Sequence, residues 1–506
     1  MTYTKKLKAK IIDIEANKPI FLLNEKVAED ILASTNNRVV VRSAKECVTG
    51  LVDITNTVID DYSIGIYKNQ QSKLNINDGD LVEVNVMPYP ESLQYIINKI
   101  KNKPLSEEEA YTIIKDVLDD KLSEAEISAF LTSLTINGLS LEETTYLCKA
   151  LTNTGKTISF DRPEILDKHS IGGINGRVSM LVVPIIVANG YMMPKTASRS
   201  ISSAAGTADC MEVLARVDLG ADKIKEIVSD VGGVITWNGR LDLSPGDDKM
   251  IAIRHSLGLD PEGLVIASVL SKKKSAGSTH LIIDLPVGKE VKIKTREEAE
   301  KWAKKFLVIS KELGIKTRVV LTNGEVPCGR NFGAALEAKS AFEILEGKYF
   351  DNLAAKACEI AGKLFDLVGK TKDGEGYDLA RETIKSGKAL EKFKEIIKAQ
   401  EGNIFCSEDV PIAENKKIII NQSIGKIVDM DVALLTKIAR LAGAPYDKGA
   451  GLVLLCDSGD ELKEGDPIFE IYANNLDKLD QAEEFAKENL KDIIQIERMI
   501  LEEMDQ

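Results

Sequence analysis

Lys168-His169-Ser170-Ile171-Gly172-Gly173, followed by Ser179, brings together groups that suit an inorganic anion. Glycines let backbone amides approach closely. Lys168 adds positive charge, and Ser170 and Ser179 add hydroxyl donors. The alternative is a tight turn with a solvated lysine. A second stretch, Ser198-Arg199-Ser200-Ile201-Ser202-Ser203-Ala204-Ala205-Gly206-Thr207, has five hydroxyl residues in ten and no acid before Asp209. On a strand-to-loop-to-helix turn it would aim amides and hydroxyls at one anion, helped by the helix N-terminus. A serine-rich capped loop is the plainer reading. Two acid-poor loops about 30 residues apart suggest two phosphate groups in one reaction. Asp260 is a candidate general acid, provided that an apolar pocket raises its pKa; before Pro261 it is equally a helix start. Ser268 and Lys272 are four apart and share a helical face. Lys272 to Lys274 read as a solvated run and Asp247-Asp248 as a solvated turn, so no metal is expected.

These residues need rigid elements to hold them. Residues 1–86 read as a β-domain: Lys8–Ile14 and Leu81–Val86 alternate, and Arg38–Val41 is β-branched. Met87-Pro88-Tyr89-Pro90 ends that pattern. Residues 91–160 read as an all-α domain, with capping boxes pairing Ser106 with Glu109, Ser123 with Glu126 and Ser140 with Glu143. In 161–400, apolar runs alternate with glycine turns and helices, the pattern of a mixed α/β sheet domain, some of whose helices are expected to pack with the helical domain. Residues 415–506 read as a C-terminal α+β domain. The fold class is therefore multidomain α/β.

Composition narrows the function. The 506 residues carry a formal net charge of −13, against general nucleic-acid or anionic-membrane binding. The richest apolar run, Met180–Ala188, contains Pro184 and is too short to span a bilayer; the N-terminus lacks a signal-peptide core. Seven dispersed cysteines read as reduced thiols in a cytoplasmic protein. Gly155-Lys156-Thr157 is not a P-loop, because Ala150 stands where its leading glycine belongs. Three histidines leave no histidine-rich metal site.

Lys168 to Gly173 resembles the K-H-S-x-G-G loop of the thymidine and pyrimidine nucleoside phosphorylases. Ser198 to Thr207, with Met211-Glu212, resembles their second loop. Ile266 to Lys273 resembles their base-site helix. Gly443-Ala444-Pro445 and Asp447-Lys448-Gly449-Ala450-Gly451 resemble their C-terminal module. The resemblance runs from about residue 91 to the C-terminus and implies the nucleoside phosphorylase-II type of fold. With its added β-domain the chain resembles the archaeal AMP phosphorylases. Where the pyrimidine enzymes have G-R-G-L-G-H-T-G-G-T, serines here add donors suited to a 5′-phosphate dianion.

This resemblance implies that AMP, with CMP and UMP as further candidates, reacts with inorganic phosphate as co-substrate. The products would be free base and ribose 1,5-bisphosphate. It implies no other cofactor, no nucleic-acid or membrane partner, a homodimeric core and further assembly through the β-domain. It carries Asp260 as proton donor, with His169 as a second catalytic position. It carries Gly172, Ser198, Arg199, Ser200, Ile201, Ser202, Ser203, Thr207, Ser268 and Lys292 as nucleotide-binding residues. It carries Lys168, Ser170 and Ser179 as phosphate-binding, and Lys272 on the base-site helix. Closure of the helical domain over the α/β domain would exclude water. Ala197 replaces a phosphate-binding serine of the pyrimidine enzymes, and the turn Asn175-Gly176-Arg177 departs from theirs. The rivals are a uridine or thymidine phosphorylase, an anthranilate-type phosphoribosyltransferase, whose G-T-G-G-D loop is absent, and a non-catalytic nucleotide-binding protein.

Overall fold

The computed structural model describes residues 4–16, 18–172, 175–200 and 203–497. Gly173, Ile201 and Ser202 of the two anion-suited loops lie outside the described residues. The chain divides into two compact units, Met1–Gly155 with Ser244–Ser271, and Lys156–Leu243 with Lys272–Gln506.

In the first unit, β1 (Thr4–Ile12), β2 (Ile20–Asn24), β3 (Arg38–Arg42), β4 (Cys47–Thr55), β5 (Ser63–Tyr67) and β6 (Leu81–Val86) close into a barrel. Its order is β1-β5-β2-β4-β3-β6. Leu7, Phe21, Leu23, Val39, Ile64 and Val84 fill its interior. Closure leaves no unpaired sheet edge. β2 and β5 escaped the sequence reading because they are short and buried along most of their length, so no alternation marks them.

The helices Glu107–Leu118, Glu124–Asn137 and Leu141–Asn153 open on the expected capping boxes. Each serine accepts from the amide three residues on, and each glutamate reaches back. Arg38 joins barrel to bundle, donating to the Lys121 carbonyl and to Glu126. Pro245–Ser256 and the first turns of Glu262–Ser275 pack with this unit, where a Cβ on Gly246 would lie 2.9 Å from Ile114.

The second unit is built on a parallel sheet. β7 (Leu166–Ser170) pairs with β10 (His280–Val287), which pairs with β11 (Lys316–Asn323). β8 (Met193–Ala197) pairs with β9 (Gly233–Trp237), and an Ile165–Met192 bridge sets β8 beside β7. The apolar run near residue 180 is the helix Ser179–Ala188, buried on every side because it packs inside this domain. The C-terminal module holds β12 (Asn331–Phe332), β13 (Asn415–Ile420), β14 (Gly425–Met430), β15 (Gly451–Leu454), β16 (Glu461–Leu462), β17 (Pro467–Ala473) and β18 (Ile494–Glu497). They form two sheets, β12-β15-β17-β13 and β16-β14-β18. No helix among the described residues is long and apolar enough to cross a membrane.

Candidate active site

β7 lies where the sheet changes direction: the chain continues to β8 on one side, and β10 lies on the other. Ligands of open parallel sheets bind at such a point, beyond the carboxyl ends of the strands. The loops after β7 and β8 leave the sheet at that end and contain both anion-suited stretches.

Lys168 lies on β7 and is 6% exposed. Among the described residues its ammonium has no hydrogen-bonding or ion-pairing partner. Burial pulls it down to about 8; Asp284 opposes this, and Lys356 and Arg177 add to it. The chain then runs past Ser170 and Gly172 to the helix Ser179–Ala188, whose N-terminus has no side-chain cap. No hydrogen bond among the described residues uses the Ser170 or Ser179 hydroxyl. A buried cation, unpaired hydroxyls and an uncapped helix start are groups that suit an anion.

The departing turn Asn175-Gly176-Arg177 braces this loop. Asn175 Nδ2 donates to the carbonyls of Gly329 and Asn331, at 3.1 and 3.2 Å, and its Oδ1 accepts from Cys328 N at 2.9 Å. Gly176 has φ +83°, and a Cβ there would sit 2.2 Å from the Cys328 carbonyl oxygen. Buried Glu337 accepts from Gly176 N at 3.1 Å and Arg177 Nε at 2.7 Å.

The opposite face of β7 carries a second charge cluster. Asp167 is fully buried, with Lys273 at 2.8 Å and Lys195 at 3.5 Å. Burial pushes its carboxyl up, but Lys195 and Lys273 prevail and hold it below its ordinary value. Lys273 therefore corrects the reading of 272–274 as a solvated run: Lys274 is exposed, Lys272 half-buried and Lys273 buried. Burial, together with Lys273, Lys195, Lys168 and Lys272, lowers the His169 pKa well below the ordinary value. His169 is thus a neutral imidazole at neutral pH, able to donate or accept one hydrogen bond.

The second loop is held from below by Asp209. Asp209 Oδ2 accepts from Ser200 N at 2.7 Å and Gly206 N at 2.9 Å, and Oδ1 from Lys448 at 3.1 Å and Arg199 at 3.3 Å. Arg199 also grips Glu212 with both terminal nitrogens and lies 4.9 Å over the Trp237 ring. That grip, with help from Lys448, pulls Glu212 down to about 2. Gly206 is needed for space, since a Cβ there would lie 2.6 Å from the Ser198 carbonyl oxygen. Ser200 and Ser203 hydroxyls are tied into the loop, donating to the Ser203 and Ala205 carbonyls. The hydroxyls of Ser198 and Thr207 make no hydrogen bond among the described residues. Thr207 begins the helix Thr207–Leu214.

In the first unit, Ser268 is buried and donates to Asp247 Oδ2 at 2.6 Å. Asp247 is itself fully buried, which corrects the solvated-turn reading of Asp247-Asp248. The Asp260 side chain is 49% exposed and pairs with Arg254. Exposure and a guanidinium partner are the opposite of the apolar enclosure that the sequence reading required. In the second unit, Lys292 follows β10, with Nζ 5.9 Å from the Trp302 ring centroid.

Asp209, Lys195, Asp284 and Lys356, which the fold brings beside the two loops, were not singled out in the sequence. No periodicity singles out a polar residue buried in a strand or helix, and Lys448 is 239 positions from the Asp209 it contacts.

The family models matched are "Glycosyl transferase family, helical bundle domain" over 93–155, "Glycosyl transferase family, a/b domain" over 162–390, and "Pyrimidine nucleoside phosphorylase C-terminal domain" over 426–492. A protein of Thermococcus sibiricus named AMP phosphorylase is 40% identical over 98% of this chain and 99% of its own length. One of Pyrococcus furiosus, named likewise, is 40% identical over 98% of both chains. Among solved structures, anthranilate phosphoribosyltransferase from Thermus thermophilus superposes with a TM-score of 0.52 at 20% identity, covering 61% of this chain and 99% of that one. That likeness is one of fold. With its helical bundle, α/β and C-terminal domains in order and near-full-length identity to these relatives, the chain belongs to the AMP phosphorylase family of pentosyltransferases.

Proposed function

We propose that this chain catalyses the phosphorolysis of AMP by inorganic phosphate, releasing adenine and ribose 1,5-bisphosphate. The observation that carries this reading is the buried Lys168 ammonium on β7, beside the loop that leaves the carboxyl end of that strand. The relatives' name supplies the nucleotide. In this reading Lys168, Ser170 and Ser179 hold inorganic phosphate. The loop 198–207, with Gly172, Ser268 and Lys292, holds the nucleotide. Arg199, Ser200 and Ser203 act chiefly through the loop's shape, because their side chains are engaged within it. Lys272 serves the base-site helix.

A phosphate oxygen attacks C1′ as the glycosidic bond breaks, and positive charge grows on the ribose. Asp260 gives its proton to the purine, which leaves as neutral base. Contact with Arg254 must loosen before Asp260 can hold that proton, because a neighbouring cation favours the carboxylate. Neutral His169 assists by hydrogen bonding. CMP and UMP are further substrates in this reading. It includes no resident cofactor, a cytoplasmic location, a homodimeric core and higher assembly through the barrel.

The test is an end-point assay for free base with AMP, adenosine or uridine, with and without phosphate. Phosphate-dependent release of adenine from AMP alone is expected. Release from the nucleosides instead would establish a nucleoside phosphorylase. AMP binding without base release would establish a non-catalytic nucleotide protein.

A further inference from the structure

Asp284 on β10 is 1% exposed, directly behind the β7 loop. Its backbone carbonyl accepts from Ile171 N at 2.8 Å, and the register sets it opposite Ser170. Its side chain closes a small polar ring. Thr322 Oγ1, on β11, donates to Asp284 Oδ1 at 2.5 Å. Lys356, from the helix Asn352–Val368, donates to the same Thr322 oxygen at 3.0 Å and lies 3.2 Å from Asp284 Oδ2. Lys168 and Ser170 stand on the same face of the sheet as Asp284, because residues two apart on one strand share a face and the register pairs 168 with 282 and 170 with 284.

We propose that Asp284 and Lys356 are positioning residues for the phosphate seat, setting the charge and place of Lys168. This rests on the reading of Lys168 as the phosphate lysine. The charged and titratable groups acting on Lys168 include Asp284 from β10, Lys356 from the helix, Cys328 from the loop after β11, and Arg177 from the turn before the helix Ser179–Ala188; Lys195 from β8 and His169 on β7 also couple to it from the other face. Asp284 is the acid among them. In low dielectric a carboxylate acts through space on a nearby ammonium that it does not touch, and so on how readily that ammonium keeps its proton. Lys356 is ion-paired to that carboxylate and itself repels the Lys168 ammonium, so the two substitutions act in opposite directions.

The experiment measures kcat/KM for phosphate, with AMP saturating, across pH 6 to 10. Lys168 must be protonated to bind phosphate, so activity falls as pH rises through its pKa. Asp284→Asn should move that alkaline limb down by about one pH unit or more. Lys356→Met should move it up, and Asp284→Asn/Lys356→Met should lie between them. KM for AMP should change less than about twofold. Limbs left in place by both single variants would overturn the proposal, whatever the loss of total activity. If Asp284→Asn does not fold, the upward shift in Lys356→Met still decides. Lys168→Gln separates the two claims: if it leaves phosphate kcat/KM and its alkaline limb unchanged, the phosphate reading of Lys168 fails. If it lowers kcat/KM while the other variants leave the limb in place, only the positioning roles fail.

Discussion

Asp209→Asn offers a quantitative test of how the second loop is built. The two carboxylate oxygens of Asp209 serve different partners: Oδ2 takes the backbone amides of Ser200 and Gly206, and Oδ1 takes Lys448 and Arg199. Asparagine keeps one oxygen. Whichever way its amide turns, an NH2 group faces either two N–H donors or two cations. Hydrogen bonds to charged groups contribute about 1.5–3 kcal/mol each. Arg199 and Lys448 are a third exposed and also reach Glu212, so their share is discounted for solvent screening. The backbone pair therefore dominates: with the amide oxygen of asparagine in place of the carboxylate, each of its two bonds falls from charged to neutral strength, and the loop loses about 2–3 kcal/mol of its organisation. If the loop seats the nucleotide, KM for AMP rises about tenfold to a hundredfold. Phosphate KM should stay within about twofold, because the β7 loop is braced independently by Asn175 and Glu337. The assay is initial-rate base release with each substrate varied in turn, alongside a thermal melt. A rise confined to phosphate KM would show that the loops serve the opposite phosphates. No change in either would show that Asp209 does not organise the loop.

Further expectations follow from single features. Asp260→Asn should cut kcat by about 10²–10⁴-fold with little change in KM for AMP; an unchanged kcat removes Asp260 as proton donor. Gly176→Ala places a Cβ 2.2 Å from the Cys328 carbonyl oxygen at φ +83°, so a melting temperature several degrees lower and a raised phosphate KM are expected; a neutral variant would refute the brace. The His169 pKa is lowered by burial and the surrounding lysines, so its NMR resonance should titrate at a lower pH than that of a free imidazole, and a midpoint at or above the free value would refute this. The unfolded chain takes up a proton near pH 6.5 that the folded state refuses. Its contribution is full above that pH and falls as pH drops below it; His169→Gln should flatten this part of the stability curve. Deleting residues 1–86 should reduce the assembly's size on gel filtration, and an unchanged size would sink the assembly role of the barrel.

Much of this architecture was legible in residue order. Ser106, Ser123 and Ser140 announced helix starts because a capping box is a local device, complete within four residues. The loop after β7 was legible because glycine, serine and lysine types show themselves without neighbours. The environment of Asp260 was not. Whether it is enclosed or solvated depends on Arg254 and on surfaces that no local pattern encodes. Lys273 was misread for the same reason: three lysines in a row look solvated until one of them faces a buried aspartate 106 positions earlier.

Sequence alone thus determined the domain order, the starts of the three capped helices, the family and the two anion-suited loops, because these rest on residue type and short-range patterns. Tertiary structure decided which charges are buried together. Lys168 with Asp284 and Lys356, Asp167 with Lys195 and Lys273, and Asp209 with Arg199 and Lys448 are each assembled from separate elements. The energy of a charge depends on the dielectric and the partners around it. Those are properties of the packed chain, so they exist only once the sheet has closed around β7.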